Sequence, residues 1–192
     1  KQKGKNFYQL QSKSADLKLT CEYAEQISSE SKTFAEVADA AKAYWNRYWQ
    51  KGAMVDFGQC KDPRAQEMER RVVLSQYLLA IQDAGETPPQ ETGLTYNSWF
   101  GKFHLEMILW HQAQFALWGH PELLERSLSW YFKAEPNARK IARRQGFKGV
   151  RWMKMTDPDA GEAPSSVGSF LIWQQPHLIY LAELLYRADP SP

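Results

Sequence analysis

Residues 88–107 read PPQETGLTYNSWFGKFHLEM, a stretch in which a proline-containing loop leads into a predicted helix. Large aromatic rings stand there beside Lys, His, Glu and Gln side chains, a mixture that a plain helical core does not require. A second stretch of the same character runs from Arg151 to His177. Flat rings that stack on C–H faces, next to polar groups that pair with hydroxyls, favour a sugar pocket.

The composition is that of a globular protein with one sizeable core. The chain has 192 residues, of which 43% are hydrophobic and 14% are aromatic, and its formal net charge is only +2. Its strongest basic cluster is Arg139, Lys140, Arg143 and Arg144, which we interpret as a solvated helix face in preference to a phosphate-binding stripe. Nucleic acid is therefore not a predicted partner.

The cysteines and the ends of the chain say little about compartment. Cys21 and Cys60 fit no metal spacing, and either one disulfide or two free thiols is compatible with the pattern. No apolar stretch reaches the ~18 residues that a membrane-spanning helix needs. The chain begins at Lys1 in a sequence typical of the middle of a domain, so we expect both ends to be cut from a longer protein. A periplasmic or secreted location is favoured over a cytoplasmic one.

Hydrophobic periodicity predicts a mainly helical protein after a short β segment. Alternation at 7–10 and 17–23 predicts two strands, the remnant of an upstream β domain. Five helices follow, with predicted limits of Thr33 to about Gly52, Asp62 to Gly85, Ser98 to Gly119, Pro121 to Gly146 with an interruption at Pro136, and about Ser169 to Arg187.

The connections between these helices are unequal. A turn at Gly119 and His120 is so short that the third and fourth helices should form an antiparallel hairpin. Residues 85–97 and 146–168 are long loops, and loops of that length are more often functional than idle. Both lead into helices that should point the same way. We therefore expect residues 85–103 and 146–177 to lie on the same side of the helical layer, with Glu106, Trp152 and Gln174 or Gln175 facing one cleft.

Several polar residues in these stretches allow two interpretations. Lys102 and Glu106 are four apart and would share a helix face, as a surface ion pair or as part of a site among aromatic rings. His104 and His111 are seven apart, but no third ligand has matching spacing, so neither a metal nor another cofactor is predicted. His111 is interpreted as a core or supporting histidine, and His120 as a helix cap.

The polar residues of the second stretch also allow more than one interpretation. Asp157 and Asp159 bracket a proline and are interpreted as turn formers. Glu162 follows a glycine and either reaches a ligand or lies in solvent. Gln174 and Gln175 stand in an apolar segment, where buried amides need partners from a sugar or from backbone.

At these residues the chain resembles the six-hairpin (α/α)6-barrel glycosidases, and it is similar to bacterial relatives of the maltose and trehalose phosphorylases, glycoside hydrolase family 65. The resemblance is carried by residues 69–77 (ERRVVLSQY), 97–107 (NSWFGKFHLEM), 151–156 (RWMKMT) and 172–177 (IWQQPH). It implies a partial (α/α)6 toroid of antiparallel helix pairs over 30–192, with 1–29 as the C-terminal remnant of a β-sandwich domain.

The resemblance also implies a function. Glu106 takes the position of a sugar-binding carboxylate that is an Asp in the wider family, and the general acid lies beyond this chain. The full-length protein would be a glycoside hydrolase or phosphorylase acting on an oligosaccharide or glycoside, and this piece alone would be inactive. The alternative is a helical carbohydrate-binding or interaction module without chemistry. The predicted substrate-binding residues are Trp99, Lys102, His104, Glu106, Arg151, Trp152, Lys154, Glu162, Gln174, Gln175 and His177.

Overall fold

A computed structural model describes residues 2–22, 26–28, 30–93, 96 and 98–190. Within these residues the protein is mainly α-helical, with two small antiparallel ladders. The chain forms two compact units, Lys1–Gln50 and Lys51–Pro192. The mainly helical class predicted from periodicity is therefore confirmed.

The first unit contains a short hairpin and a helix. Strand β1 (Gln2–Gly4) pairs with β2 (Phe7–Tyr8), as predicted for the residues near Phe7. Residues 17–22, predicted as a second strand, have no regular structure, and Tyr23 lies outside the described residues. Leu17 and Leu19 are exposed, because this segment pairs with no other strand among the described residues.

Helix α1 (Phe34–Lys51) begins where its capping signal predicts. The Thr33 backbone N–H donates to Glu36 Oε2 at 2.7 Å, and the Glu36 N–H donates back to Thr33 Oγ1 at 3.3 Å. These reciprocal bonds satisfy N–H groups that the first turn leaves unpaired. Four aromatic residues lie close together on this helix, and of these Tyr48 is buried whereas Tyr44, Trp45 and Trp49 are half-buried.

The second unit is built on three mutually packed helices. The elements are α2 (Ala65–Gln82), a 3-10 turn (Trp99–Gly101), β3 (Phe103–His104), α3 (Ile108–Leu117), α4 (Pro121–Arg144), β4 (Met155–Thr156), a second 3-10 turn (Gly168–Phe170) and α5 (His177–Ala188). Helices α3, α4 and α5 pack on one another. The side chains of Ile108, Phe115, Leu124 and Leu181 are completely buried between them.

The α3–α4 hairpin is confirmed, but the predicted break in α4 is wrong. Gly119 makes the short turn with a φ of +87°, a conformation that glycine adopts without strain. Helix α4 continues through Pro136, which is exposed. The carbonyl that loses its hydrogen bond at the proline can be solvated there, while Ala134 and Ala138 on the opposite face stay buried.

Helices α3 and α5 begin later than predicted. Residues 98–107 form a turn and a strand, so Lys102 and Glu106 do not share a helix face. The Ser98 hydroxyl donates to Glu91 O at 2.6 Å and caps no helix. Helix α5 begins after Pro176, which leaves Gln174 and Gln175 in the preceding loop.

The sequence predicts strands within residues 1–29 and helices after them, but two further strands form in the mainly helical part of the chain. Strands β3 and β4 pair antiparallel, with Phe103 opposite Thr156 and His104 opposite Met155. This ladder joins the two long loops, which is the proximity that the sequence predicts for them. It is the element that positions the candidate site.

Three further observations concern the surface. Cys21 and Cys60 are both free thiols. Arg139, Lys140, Arg143 and Arg144 are exposed on α4, as predicted for a solvated face. Within the described ranges, no helix combines the length and apolar character needed to cross a bilayer.

Candidate functional site

Three segments of backbone meet at the β3–β4 ladder. Gln90 forms a bridge to Phe103, and the Leu105 N–H donates to Lys154 O at 2.9 Å. The ladder therefore brings the residues around 91, 105 and 154 to one place, although they are far apart in sequence. No single helix determines this arrangement, because each segment belongs to a loop.

Five ionisable side chains gather there: Glu91, His104, Glu106, His111 and Lys154, here called the Glu106 cluster. His104 Nδ1 lies 3.5 Å from Glu106 Oε1 and 3.6 Å from Glu91 Oε2, so one imidazole stands between two carboxylates. The other Glu91 oxygen, Oε1, lies 3.6 Å from His111 Nε2. Lys154 Nζ lies 3.5 Å from Glu106 Oε1. Glu106 and His104 are buried in this cluster.

Several polar atoms of the Glu106 cluster have no hydrogen-bond partner among the described residues. Separations of 3.5–3.6 Å are charge contacts, longer than the usual 2.7–3.2 Å of a hydrogen bond. Among the described residues, Glu106 Oε2, His104 Nε2 and His111 Nδ1 are buried without a hydrogen-bond partner. Buried polar atoms in folded proteins are rarely unpaired, so three in one cluster indicate a place for a polar ligand or for water.

Burial sets the protonation of the surrounding groups. It lowers the pKa of His111, an effect that His104 adds to and Glu106 opposes. It also lowers the pKa of His177, despite opposing contributions from the bond to Leu105 O and from Glu106. Both imidazoles are therefore neutral at pH 7 and each has a nitrogen that accepts a hydrogen bond. Burial, with a further contribution from Glu91, raises the pKa of the Asp83 carboxyl to about 7.

An aromatic turn borders the cluster. Trp99, Phe100 and Gly101 all have positive φ, at 49°, 61° and 65°, and the first two are not glycine. Such strained positions persist only where other contacts hold them. Here Thr92 Oγ1 accepts from the Gly101 N–H at 3.0 Å and donates to Ser98 O at 2.6 Å.

The turn leaves the Trp99 ring 54% exposed beside the charged groups. This ring contacts the His104 imidazole edge to face, with centroids 5.7 Å apart. Lys154 Nζ lies 6.0 Å from the Trp99 ring centroid. An exposed flat ring next to a buried carboxylate is an arrangement that binds a molecule with one apolar face and polar edges.

The structure brings together four of the predicted residues and places two more nearby. Trp99, His104, Glu106 and Lys154 form one site with the contacts given above. His177 borders it through a contact of 3.1 Å between its Nδ1 atom and Leu105 O. Lys102 instead lies over the Phe100 ring, with Nζ 5.6 Å from the centroid.

Three other predicted residues, Trp152, Gln174 and Gln175, contact one another through the Trp152 backbone. Trp152 is buried against Tyr131, with ring centroids 4.8 Å apart. Gln174 Nε2 donates to Trp152 O at 3.0 Å, and Gln175 Oε1 accepts from the Trp152 N–H at 3.0 Å. Backbone carbonyls accept from both amide nitrogens, whereas Gln174 Oε1 is buried without a hydrogen-bond partner among the described residues. The expectation that Trp152 and these glutamines face one cleft with Glu106 stays a prediction.

Arg151 and Glu162 are also engaged elsewhere. The Arg151 guanidinium donates to Ser169 O and lies over the Phe147 ring, with Cζ 5.6 Å from the centroid. Glu162 is exposed and its Oε2 atom pairs with Arg144 Nη2 at 2.9 Å. Glu162 therefore has the solvated role, which was one of its two interpretations.

The turn-forming role of Asp157 is confirmed, since its Oδ1 atom accepts from the N–H groups of Asp159 and Gly161.

Sequence reasoning missed Glu91 as a member of the site. It lies in the stretch that opened the analysis, but in a loop whose path no periodicity describes. His104 carried a usable signal, because a buried imidazole needs an acidic or carbonyl partner and Glu91 is the nearest carboxylate before it in the sequence. His111, interpreted as a supporting residue, does contact the cluster through Glu91.

In the part of the chain that the structure describes, no group of three or more His, Cys, Asp or Glu side chains is arranged to hold a metal ion. Comparisons with protein-family models, with curated proteins and with solved structures gave no match to this chain.

Proposed function

We propose that this chain is part of a carbohydrate-active enzyme and that the Glu106 cluster binds the hydroxyl groups of a sugar. The observation that supports this most directly is the buried Glu106 carboxylate, whose Oε2 atom has no hydrogen-bond partner among the described residues. Its Oε1 atom lies 3.5 Å from Lys154 Nζ, which in turn lies 6.0 Å from the centroid of the Trp99 ring. A sugar hydroxyl donates to the carboxylate and accepts from the ammonium. The Trp99 ring can stack on the C–H face of the same sugar.

The chemistry we propose is glycosidic bond cleavage in the full-length protein. Glycosidases work with two carboxyl groups on either side of the scissile bond and an oxocarbenium-like transition state. Glu91 and Glu106 contact the same imidazole nitrogen and are therefore close neighbours. We assign them to holding and orienting the substrate, and we place the general acid beyond this chain, as the family resemblance implies.

The proposed architecture follows from the same resemblance. The antiparallel pair α3–α4, followed by α5, is compatible with part of an (α/α)6 toroid in which loops at one end of the helices form the site. The described helices alone establish only a mainly helical fold. The toroid is therefore part of the proposal.

The test separates binding from turnover. We expect the 192-residue chain to bind methyl glucosides and disaccharides in calorimetric titrations, and not to hydrolyse aryl glycosides with or without phosphate. Glu106→Gln should weaken binding about tenfold or more, since it removes a charge-assisted hydrogen bond. Glu183→Gln is the matched control, because Glu183 is a surface residue paired with Arg187 at 2.8 Å.

Each outcome has a definite meaning. Equal sugar binding by Glu106→Gln and the parent protein would refute the proposed site. Turnover by the 192-residue chain that is lost in Glu106→Gln would move the catalytic carboxylate into this chain. Sugar binding without turnover by the full-length protein would favour the carbohydrate-binding module over the enzyme.

A further inference from the structure

Helices α2 and α3 border a groove of about 350 Å3 that the Glu106 cluster does not use. Cavities of this size fall within the usual range for small-molecule sites. The lining residues are Met68, Arg71, Val72, Ser75, Gln76, Leu79, Gln114 and Trp118. All of them belong to the unit Lys51–Pro192.

Two glutamines that line this groove, the buried Gln76 and the half-buried Gln114, have amide groups without partners. Gln76 is only 3% exposed, and both amide atoms of Gln76 and of Gln114 lack a hydrogen-bond partner among the described residues. By contrast, Gln112, also on α3, donates to Asp83 O at 2.9 Å and accepts from Ser127 Oγ at 2.6 Å. The fold thus satisfies one buried glutamine of α3 completely and leaves two amides unsatisfied at a single groove, which is costly unless something pairs with them.

The chemistry of the lining defines what fits. Two amides offer both N–H donors and C=O acceptors, so they suit a group that donates and accepts at once. Arg71 Nε is already paired with Glu67 Oε1 at 2.7 Å, so no anionic ligand is needed to neutralise its charge. Val72, Leu79 and Trp118 provide apolar walls. Neutral hydroxyl groups on an apolar ring match this combination.

We infer that the α2–α3 groove is a second binding site, for a neutral hydroxylated ring of the pyranose type. Each of the four amide atoms of Gln76 and Gln114 exposes less than 1 Å2, so these two side chains would have to rotate toward the groove for the ligand hydroxyls to pair with them. The C–H faces of the ligand would pack on the apolar walls. Gln114 lies six residues after the start of α3 at Ile108, which is roughly 9 Å along the helix axis from the end nearest the Glu106 cluster. The inference does not depend on the function proposed for that cluster.

The experiment follows the side-chain amide signals by NMR. Methyl α-D-glucopyranoside is titrated into the Glu106→Gln variant, so that binding at the cluster is weakened and the groove is observed by itself. We expect saturable shifts of the Gln76 and Gln114 NH2 signals. Gln76→Leu and Gln114→Leu should each weaken this binding about tenfold, whereas Gln82→Leu, an exposed position on the same helix, should leave it unchanged.

Two further measurements keep the result decisive. Cyclohexanol, a ring with a single hydroxyl, should bind at least tenfold more weakly than the glucoside, because it leaves most amide atoms unpaired. Thermal unfolding should show that Gln76→Leu folds at least as stably as the parent, since an apolar side chain replaces an unsatisfied amide. Absence of shifts at both amides, or glucoside binding that survives both Leu variants, would overturn the inference and leave the groove occupied by water alone.

Discussion

Replacing Lys154 with Met would test the electrostatic design of the Glu106 cluster. The substitution removes the ammonium from its place 3.5 Å from Glu106 Oε1 and keeps an unbranched apolar side chain. The two side chains are 15% and 6% exposed, so the carboxylate would stay buried without its cation. Removing one partner of a buried pair usually costs about 3–5 kcal/mol.

We expect a value near the lower end, about 3 kcal/mol, because Lys154 keeps some contact with water and His104 still faces the carboxylate. Urea unfolding of the parent, Lys154→Met, Glu106→Gln and the double variant forms a complete cycle. The double variant should recover about 2 kcal/mol of the loss, since no buried charge is then left alone. Lys140→Met, on the exposed face of α4, is the control and should change stability by less than about 0.5 kcal/mol. A loss below about 1 kcal/mol with no coupling to Glu106 would show that the pair is not a stabilising contact.

Three other substitutions test separate features, each by urea unfolding. Burial raises the pKa of Asp83 to about 7, so the folded protein holds a proton that the unfolded chain releases above about pH 4. Stability should therefore fall as pH rises from about 4 to about 7 and level off above that, and Asp83→Asn should flatten this fall. Phe100→Asn should stabilise by about 0.5–1 kcal/mol, because asparagine tolerates the positive φ of 61°; a destabilised variant would mean that the exposed ring makes contacts of its own. Gly52→Ala should destabilise the protein by about 1–3 kcal/mol, since the added Cβ would lie 2.9 Å from His120 Cε1. In the control, Gly85→Ala, the added Cβ meets no atom within 4 Å, so this variant should be nearly neutral. Equal effects of the two substitutions would refute the packing argument.

Local signals predicted the local parts of this fold. The Thr33–Glu36 capping box fixed the start of α1, and Gly119 fixed the α3–α4 turn, because each depends on residues within a few positions of one another. The start of α3 was predicted ten residues too early. Ser98 and the aromatic residues after it resemble a helix opening, but the chain there pairs with Met155 and Thr156. A two-residue ladder between distant segments leaves no periodic trace in the sequence.

The candidate site was predictable in its residue types more than in its geometry. Trp99, His104, Glu106 and Lys154 were chosen for their chemistry, and they do meet. Gln174 was chosen by the same reasoning, but its amide bonds to the backbone at Trp152 and Leu171. Sequence shows that a buried amide needs a partner and does not show which one the fold supplies.

The short β3–β4 ladder has a consequence for how this protein can vary in length. Lys154 immediately precedes β4 and Glu106 follows β3 by two residues, so their meeting depends on strand register. One residue inserted in β3 would turn Glu106 to the opposite face and separate the carboxylate from the lysine. Residues 164–167, beyond the ladder and largely exposed, carry no such constraint. Related sequences should therefore gain and lose residues freely at 164–167 while keeping the spacing around 104–106 and 154–156 fixed.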